Sequence, residues 1–307
     1  MAEQLEHANA DIQDAVSMKT IRHLAEKYGF HFKKSLGQNF LLDRHVLQKI
    51  VKAADLNGEK GALEIGPGLG ALTQSLAQHA GKVVAVEIDA RLIPMLEETL
   101  RPFTNVCVIE GDVLKLDLHE ICREHFSSVS KVSLVANLPY YVTTPILMKI
   151  LEERLELENI VVMVQKEVAD RITAKPGGKD YSSLSIAVQY FCTAETIAFV
   201  PRNVFIPRPN VDSVVLRLRP RTKKPVDVAD ESFFFSVVRA SFAQRRKTLL
   251  NNLRDHYLPM MDKEQWSRLL RLCDIDPSRR GETLSMEEFA RLANLLYEQF
   301  GSGLSGR

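Results

Sequence analysis

The chain has 307 residues, 45% of them hydrophobic and 26% charged, with a formal net charge of +1; it is long enough for two domains and apolar enough to bury a full core. No run of eighteen apolar residues occurs, and the opening Met1-Ala2-Glu3-Gln4-Leu5-Glu6-His7 is acidic without an apolar stretch, so neither a membrane span nor a secretory leader is expected. Cys107, Cys122, Cys192 and Cys273 lie far apart, with no C-x-x-C pair and no His-Cys cluster. That argues against a metal site and a disulfide framework and fits a reducing compartment, the cytoplasm.

Residues 1 to 18 carry no usable pattern and are expected to be a tail. Thr20 to Tyr28 has helical spacing and stops at Gly29. The segment His31 to Asp43 contains Leu36-Gly37-Gln38-Asn39-Phe40-Leu41, a polar stretch carrying two buried-looking residues, and is expected to form a lid over a ligand, against the alternative of plain loop packing. Asp43 can cap a helix from Arg44 to Ala54, whose Val46, Leu47, Ile50 and Val51 share one face.

The stretch that organises the chain is Ala62-Leu63-Glu64-Ile65-Gly66-Pro67-Gly68-Leu69-Gly70-Ala71-Leu72-Thr73. An apolar strand runs through an acid into alternating glycines and then a helix, making a wall that a nucleoside can approach closely. A nicotinamide turn reads G-x-G-x-x-G and a Walker loop continues into Lys-Ser or Lys-Thr; this stretch does neither. A nucleoside cofactor without phosphates is favoured, S-adenosylmethionine first, against the plain alternative of a tight turn with no ligand.

A helix over Leu72 to Ala80 follows, then the apolar strand Lys82 to Glu87, which also ends in an acid. An acid about twenty residues beyond the glycines accepts hydrogen bonds from ribose hydroxyls. Next come a helix from Arg91 to Leu100, with Pro94 in its first turn, and a strand from Asn105 to Glu110. Asp112, just past that strand, is suited to an adenine amine. Glu64, Glu87 and Asp112 thus belong to three successive strands, whose ends share one rim in an open parallel sheet.

The strand Lys131 to Ala136 runs into Asn137-Leu138-Pro139-Tyr140, followed by a helix over Thr144 to Leu151 and a strand over Asn159 to Gln165. Lys166 to Thr173 and Ser182 to Tyr190 read as helices, with a flexible loop at Lys175 to Asp180. A strand near Glu195 to Val200 precedes Pro201-Arg202-Asn203-Val204-Phe205-Ile206-Pro207-Arg208-Pro209, whose prolines make it a loop. Ser213 to Arg219 alternates as a strand. Beyond Pro225 only helices remain: Phe233 to Ala243, Lys247 to Leu253, Lys263 to Leu272 and Met286 to Phe300. The expectation is an α/β domain over 19–221 after a tail of 1–18, with a small all-α domain over 222–307.

Charge is segregated along the chain. Residues 17 to 52 hold eight Lys or Arg against two acids, and 201 to 255 hold twelve against five, while 85 to 124 hold nine acids against four bases. Basic segments beside a nucleoside pocket suggest a polyanion partner, against the alternative of solvated faces.

The chemistry is concentrated in Asn137-Leu138-Pro139-Tyr140. An exocyclic adenine amine is a poor nucleophile because its lone pair is delocalised into the ring. A carboxamide oxygen and a backbone carbonyl, both accepting its N–H bonds, favour a more tetrahedral nitrogen facing a methyl sulfonium, and no strong base is needed. Tyr140 offers a ring face to an unstacked base, against the alternative of core packing with a bonded hydroxyl, and Phe205 a second face from the proline-braced loop, against the alternative of a plain loop anchor.

Taken together, E-x-G-x-G-x-G, Glu87, Gly111-Asp112, Asn137-Leu138-Pro139-Tyr140, Asn203 to Ser213, the Leu36 to Leu41 segment and the basic Ser241-Phe242-Ala243-Gln244-Arg245-Arg246-Lys247-Thr248-Leu249 closely resemble the ribosomal RNA adenine N6-dimethyltransferase family, over roughly residues 19 to 300. The resemblance implies a Rossmann-like S-adenosylmethionine-dependent methyltransferase sheet with a C-terminal helical, RNA-contacting domain. It implies a cofactor site at Asn39, Leu41, Gly66, Glu87, Asp112 and Asn137, target-base contacts from Asn137, Leu138, Pro139, Tyr140 and Phe205, and RNA contacts from Arg245, Arg246 and Lys247.

Leu138, where relatives acting on large-subunit RNA usually carry Ile, favours the small-subunit branch. That branch implies four methyls, two on each of two adjacent adenines in a hairpin near the 3′ end of 16S rRNA, added by a monomer to an immature small subunit. A 23S rRNA methyltransferase, a non-catalytic RNA-binding assembly factor and a small-molecule methyltransferase are the alternatives.

Overall fold

The computed structural model describes residues 17–31, 38–257 and 261–301. Residues 1–16 of the expected tail and residues 32–37 of the expected lid lie outside the described residues. Ser17 belongs to structure rather than tail: its Oγ accepts from the Thr20 amide at 3.0 Å and caps helix α1 (Met18–Lys27).

Contacts group the chain into two units. One runs to Ala169 and adds Ala194–Pro220; the other comprises Asp170–Thr193 and the chain from Arg221 onward. The second is larger than the 222–307 expected from the helical periodicity.

In the first unit, β1 (Phe40–Leu41) and α2 (Arg44–Ala54) precede β2 (Gly61–Ile65), α3 (Ala71–Ala77), β3 (Lys82–Glu87), α4 (Ile93–Leu100) and β4 (Val106–Glu110). Then follow α5 (Leu118–His125), β5 (Val132–Asn137), α6 (Thr143–Glu153), β6 (Leu157–Gln165) and α7 (Lys166–Thr173), whose second half lies in the other unit. After α8 (Ser183–Phe191) come β7 (Cys192–Val200), β8 (Phe205–Ile206) and β9 (Ser213–Pro220).

Seven strands make one sheet in the order β4-β3-β2-β5-β6-β9-β7. The run from β4 to β6 is parallel, and β9 is antiparallel to β6. Apolar strands such as Val83-Val84-Ala85-Val86 and Ile160-Val161-Val162-Met163-Val164 are buried throughout, as expected of a sheet covered on both faces. Ala62, Val83, Val135, Val161 and Val215 pack with Val46, Leu47 and Ile50 of α2 and with Leu72 and Leu76 of α3. A second cluster joins Ile21 and Leu24 of α1 to Met95, Leu96 and Leu100 of α4.

The chain winds outward from β2 to β3 and β4, then returns to the other side of β2 for β5 and β6. The order therefore reverses between β2 and β5, the place where open α/β sheets bind ligands.

A second, two-stranded sheet lies apart from the first. Phe40 pairs with Ile206 and Leu41 with Phe205, antiparallel, and the Leu42 amide continues the ladder to the Val204 carbonyl at 2.9 Å. The expected lid and the expected proline loop are thus one ribbon, with a cis bond at Ile206-Pro207.

In the second unit, α9 (Glu231–Ser241), α10 (Leu249–His256), α11 (Lys263–Leu272) and α12 (Met286–Phe300) join α8. Tyr190 of α8 packs against Phe234 and Phe235 at ring distances of 5.5 and 5.2 Å, and its hydroxyl donates to Glu231 at 2.9 Å. This aromatic contact is why α8 groups with the helices.

Candidate active site

The cleft at the strand-order reversal is lined by residues following or ending β2, β3 and β5, with the Gln38-Asn39-Phe40-Leu41 segment as a further wall. Its volume is about 910 Å³, open mouth included. Gly66 and Gly68 follow β2 with φ of +73° and +62°, a region costly for any side chain. A Cβ on Gly68 would lie 2.7 Å from the Phe40 ring, so this glycine lets the ribbon pack onto the turn. A Cβ on Gly66 would have only the Asn137 carbonyl within 4 Å, at 4.0 Å, and Gly66 lines the cleft. One glycine admits the protein's own side chain; the other leaves room for a ligand.

Glu87, the last residue of β3, ties the two loops together. Its Oε2 accepts from the Gly68 amide at 3.2 Å and its Oε1 from the Asp89 amide at 2.8 Å. Burial pushes its carboxyl above the usual range, against the pull of those amides. Each oxygen keeps lone-pair capacity for a hydroxyl donor. Asp89 is held low, first by the Arg91 guanidinium, which grips it at 2.6 and 2.8 Å, and also by Gln38, which donates at 2.8 Å.

Glu64 is the penultimate residue of β2 rather than a residue of its exposed rim. It is 1% exposed, and burial pushes its carboxyl up to about 8, with a smaller push from the Glu87 charge. Asp112 accepts from the Leu114 amide at 3.0 Å and does not line the cleft.

At the end of β5, the Asn137 amide nitrogen donates to the Asn39 carbonyl at 3.1 Å, leaving Oδ1 as the free acceptor. The Leu138 amide donates to Met163 at 3.2 Å. The Pro139 carbonyl is occupied by the Val142 amide at 3.2 Å and the Thr143 hydroxyl at 3.0 Å. Among the described residues nothing donates to the Leu138 carbonyl, so the turn offers two unoccupied oxygen acceptors, Asn137 Oδ1 and Leu138 O. The Tyr140 hydroxyl shares a 2.8 Å hydrogen bond with Ser213 at the start of β9, which fixes the ring; burial raises its phenol.

Asn39, Leu41, Gly66, Glu87, Asn137, Leu138, Pro139 and Tyr140 therefore share one cleft. Phe205 does not line it: at 2% exposure it sits in the same buried cluster as Leu41, Leu47 and Ile50, which do. Its partner across the ribbon is Leu41.

Arg245, Arg246 and Lys247 lie in the turn before α10, in the second unit. Arg245 pairs with Glu282 at 3.5 Å and bonds the Lys179 carbonyl, and Lys247 pairs with Asp255 at 2.7 Å. Arg246 is exposed and has no ion pair among the described residues. Asn252 of α10, buried, donates to the Ser241 and Gln244 carbonyls at 2.9 and 3.1 Å and holds the turn from below. Among the described residues no group of three or more His, Cys, Asp or Glu is placed to hold a metal ion.

Gln38 and Phe40 were absent from the expected site. Gln38 gave no chemical signal, and Phe40 reads as packing until Gly68 is seen beneath it.

The chain matches the family model described as ribosomal RNA adenine dimethylase over residues 29–297. It is 60% identical over 286 residues to a protein of Geobacillus sp. (strain WCH70) named ribosomal RNA small subunit methyltransferase A, covering 92% of this chain and 98% of that one. The protein of the same name from Bacillus mycoides (strain KBAB4) is 58% identical over 93% and 98% of the two chains. Among solved structures, a dimethyladenosine transferase from Plasmodium falciparum superposes with a TM-score of 0.68 at 28% identity, covering 85% and 98%. The 23S rRNA methyltransferase ErmE gives a TM-score of 0.62 at 27% identity, covering 84% and 99%.

Proposed function

Because the chain belongs to the ribosomal RNA adenine dimethylase family, we propose that it transfers methyl groups from S-adenosylmethionine to adenine N6 amines of small-subunit ribosomal RNA. The observation that carries this reading is the meeting of Asn137 with Gly66 and Glu87 in one cleft at the sheet's reversal point. The names of the close relatives support the small subunit as the target. The finer reading is two methyls on each of two adjacent adenines in a hairpin near the 3′ end of 16S rRNA, within an immature subunit, by a monomer in the cytoplasm. Among the described residues no helix is long and apolar enough to cross a membrane.

The residues present fit the cofactor. Gly66 leaves open space where a side chain would intrude, Glu87 keeps acceptor capacity for ribose hydroxyls, and buried Glu64 oxygens stand without partners. Asn39, Leu41, Gly66, Glu87 and Asn137, which line the cleft, would hold it, and Asp112, which does not line it, has no place in that set. When bound, it supplies an electrophilic methyl carbon on a sulfonium.

The chain's own part is to make the target amine nucleophilic and to hold it in line. With Nδ2 committed to Asn39, the Asn137 amide cannot rotate freely, and Oδ1 takes one amine N–H while the Leu138 carbonyl takes the other. Two acceptors in fixed positions draw the nitrogen towards a tetrahedral shape and solvate the positive charge that develops on it. That charge is relieved by loss of a proton to water. Tyr140 supplies a stacking face that offsets part of the cost of unstacking the base. For Phe205 to add a second face, its strand must swing it out of the core. Arg245, Arg246 and Lys247 neutralise RNA phosphates.

The test is methylation of small-subunit RNA from a strain lacking this protein, with modified adenines mapped by mass spectrometry. Two neighbouring N6,N6-dimethyladenines near the 3′ end are expected. Modification confined to large-subunit RNA, or none, would overturn the reading.

A further inference from the structure

The two acceptors that the Asn-Leu-Pro-Tyr turn offers are not equally secure. The Leu138 carbonyl is main chain, whereas Asn137 Oδ1 is available only while the side-chain amide keeps one of its two orientations. The Asn39 carbonyl fixes that orientation by accepting from Nδ2 at 3.1 Å. Turned over, the amide would set Oδ1 against that carbonyl with no proton between them, and would present an N–H to an amine that itself needs acceptors. The place of the Asn39 carbonyl depends in turn on the residues either side of it. Phe40 is paired with Ile206 and packs onto Gly68. Gln38 donates from Nε2 to Asp89 Oδ2 at 2.8 Å. Asp89 is a firm anchor: it is 7% exposed, its amide donates to Glu87, and its oxygens accept from Nε and Nη2 of Arg91 at 2.8 and 2.6 Å. Arg91 is itself held, lying over the Phe30 ring at 4.9 Å and donating to the His31 carbonyl at 3.3 Å.

We propose that Gln38 is a positioning residue for methyl transfer: anchored on the Asp89–Arg91 pair, it holds Asn39 so that the Asn39 carbonyl keeps Asn137 Oδ1 turned towards the target amine. This rests on the reading of the cleft as an adenine N6 methyltransferase site. The effect passes through Asn39 and Asn137, and no bond to the base is asked of Gln38. A neutral amide suits this place, because its N–H makes a charge-assisted bond to Asp89. A carboxylate of the same shape would meet Asp89 as a like charge and be driven off. Glutamate is thus the discriminating substitution, equal in size and opposite in effect. Asp89 serves the cofactor side as well, since its amide is a donor that fixes Glu87 Oε1. A change at Gln38 rather than at Asp89 therefore isolates the relay to Asn137.

The experiment compares the full chain, Gln38→Glu, Asn137→Ala and the double variant in single-turnover methyl transfer to immature small subunits at saturating S-adenosylmethionine. Gln38→Glu is expected to slow the parent about tenfold. On the Asn137→Ala background the same change should cost about twofold at most, because the group that Gln38 positions is gone. General loosening of the segment would instead multiply on both backgrounds. Nitrogen-15 NMR of the protein without ligand, labelled at asparagine, gives a readout that needs no turnover. The side-chain NH2 pair of Asn137, identified by its loss in Asn137→Ala, should show well-separated proton shifts in the parent, and the separation should narrow in Gln38→Glu. If thermal unfolding shows that Gln38→Glu does not fold, Gln38→Ala, which removes the bond without adding a like charge, takes its place under the same criteria. A parental rate in the Gln38 variant, an equal loss on both backgrounds, or an Asn137 pair unaltered by the substitution would each overturn the proposal while methyl transfer by the parent stands. No transfer by the parent to any ribosomal RNA would overturn the function reading itself, and the proposal with it.

Discussion

Alanine placed at Gly66 and at Gly68, one variant at a time, separates the two uses of glycine in the turn after β2. Both residues have positive φ, so each alanine carries the left-handed backbone cost of about 1–2 kcal/mol. Gly68→Ala also drives a methyl to within 2.7 and 2.9 Å of two Phe40 ring carbons. Phe40 is buried with Leu69 and Leu96 and is pinned opposite Ile206, so it has little room to yield. Overpacking of this kind costs about 1–3 kcal/mol. At Gly66 the nearest atom is 4.0 Å away, and that term is absent. The difference between the variants is therefore the clash alone, about 1–3 kcal/mol, or about 2–12 °C in Tm for a protein with units of this size.

Binding should rank the other way, because the Gly66 methyl enters the cleft: Gly66→Ala weakens S-adenosylhomocysteine about tenfold or more. Thermal unfolding without ligand and calorimetric titration measure the two effects. Equal Tm values, or undiminished binding by Gly66→Ala, would refute the division of labour.

Asn137→Ala should lower single-turnover methylation of immature small subunits by about 10²–10³-fold, with cofactor affinity changed only a few-fold by calorimetry; unchanged turnover removes Asn137 from the chemistry. Glu87→Ala should weaken cofactor binding by about 1–3 kcal/mol, and matching titrations of variant and parent would contradict a ribose contact. Glu64 holds its proton more tightly folded than unfolded, so its contribution to stability declines as pH rises from the ordinary carboxyl value of 4.5 towards about 8 and is level above that. Urea titrations across that window should show Glu64→Gln gaining on the parent as pH rises; a constant gap would mean that Glu64 is already ionised. Neutralising Arg245, Arg246 and Lys247 together should flatten the salt dependence of RNA binding, with Arg246→Ala alone reducing the log–log slope by about 1. Parallel slopes would place the RNA elsewhere.

Local patterns carried most of the fold. Lys82–Glu87 and Lys166–Thr173 lie on their expected bounds, as do Lys263–Leu272 and Met286–Phe300, because a continuous apolar run or a sustained helical stripe is decided within a few residues. α5 escaped notice because it is short and polar, anchored mainly by Leu118, Ile121 and its Asp117 cap. Pairing between Phe40–Leu41 and Phe205–Ile206 leaves no local trace, since neither dipeptide is a strand without the other. Most of the cleft was legible in its glycines, Glu87 and the Asn-Leu-Pro-Tyr turn. Burial was not, so Phe205 looked like a free stacking ring, and Glu64, Glu87 and Asp112 looked equivalent. One of those acids is in fact sealed, one bonded and one off the cleft. The aromatic contacts that draw α8 to α9 were hidden for the same reason, being decided by residues far apart in the chain.

The small ribbon makes a lever of two strands that belong to different tasks. One strand continues from Asn39, whose carbonyl steadies the Asn137 amide; the other bears Phe205. Prying either strand away unseats its mate, so the segment flanking the cofactor cleft and the loop carrying Phe205 tighten or slacken in concert. By thermodynamic reciprocity, a cofactor that favours the closed ribbon opposes a base whose stacking needs Phe205 swung out, and the base opposes the cofactor by the same factor.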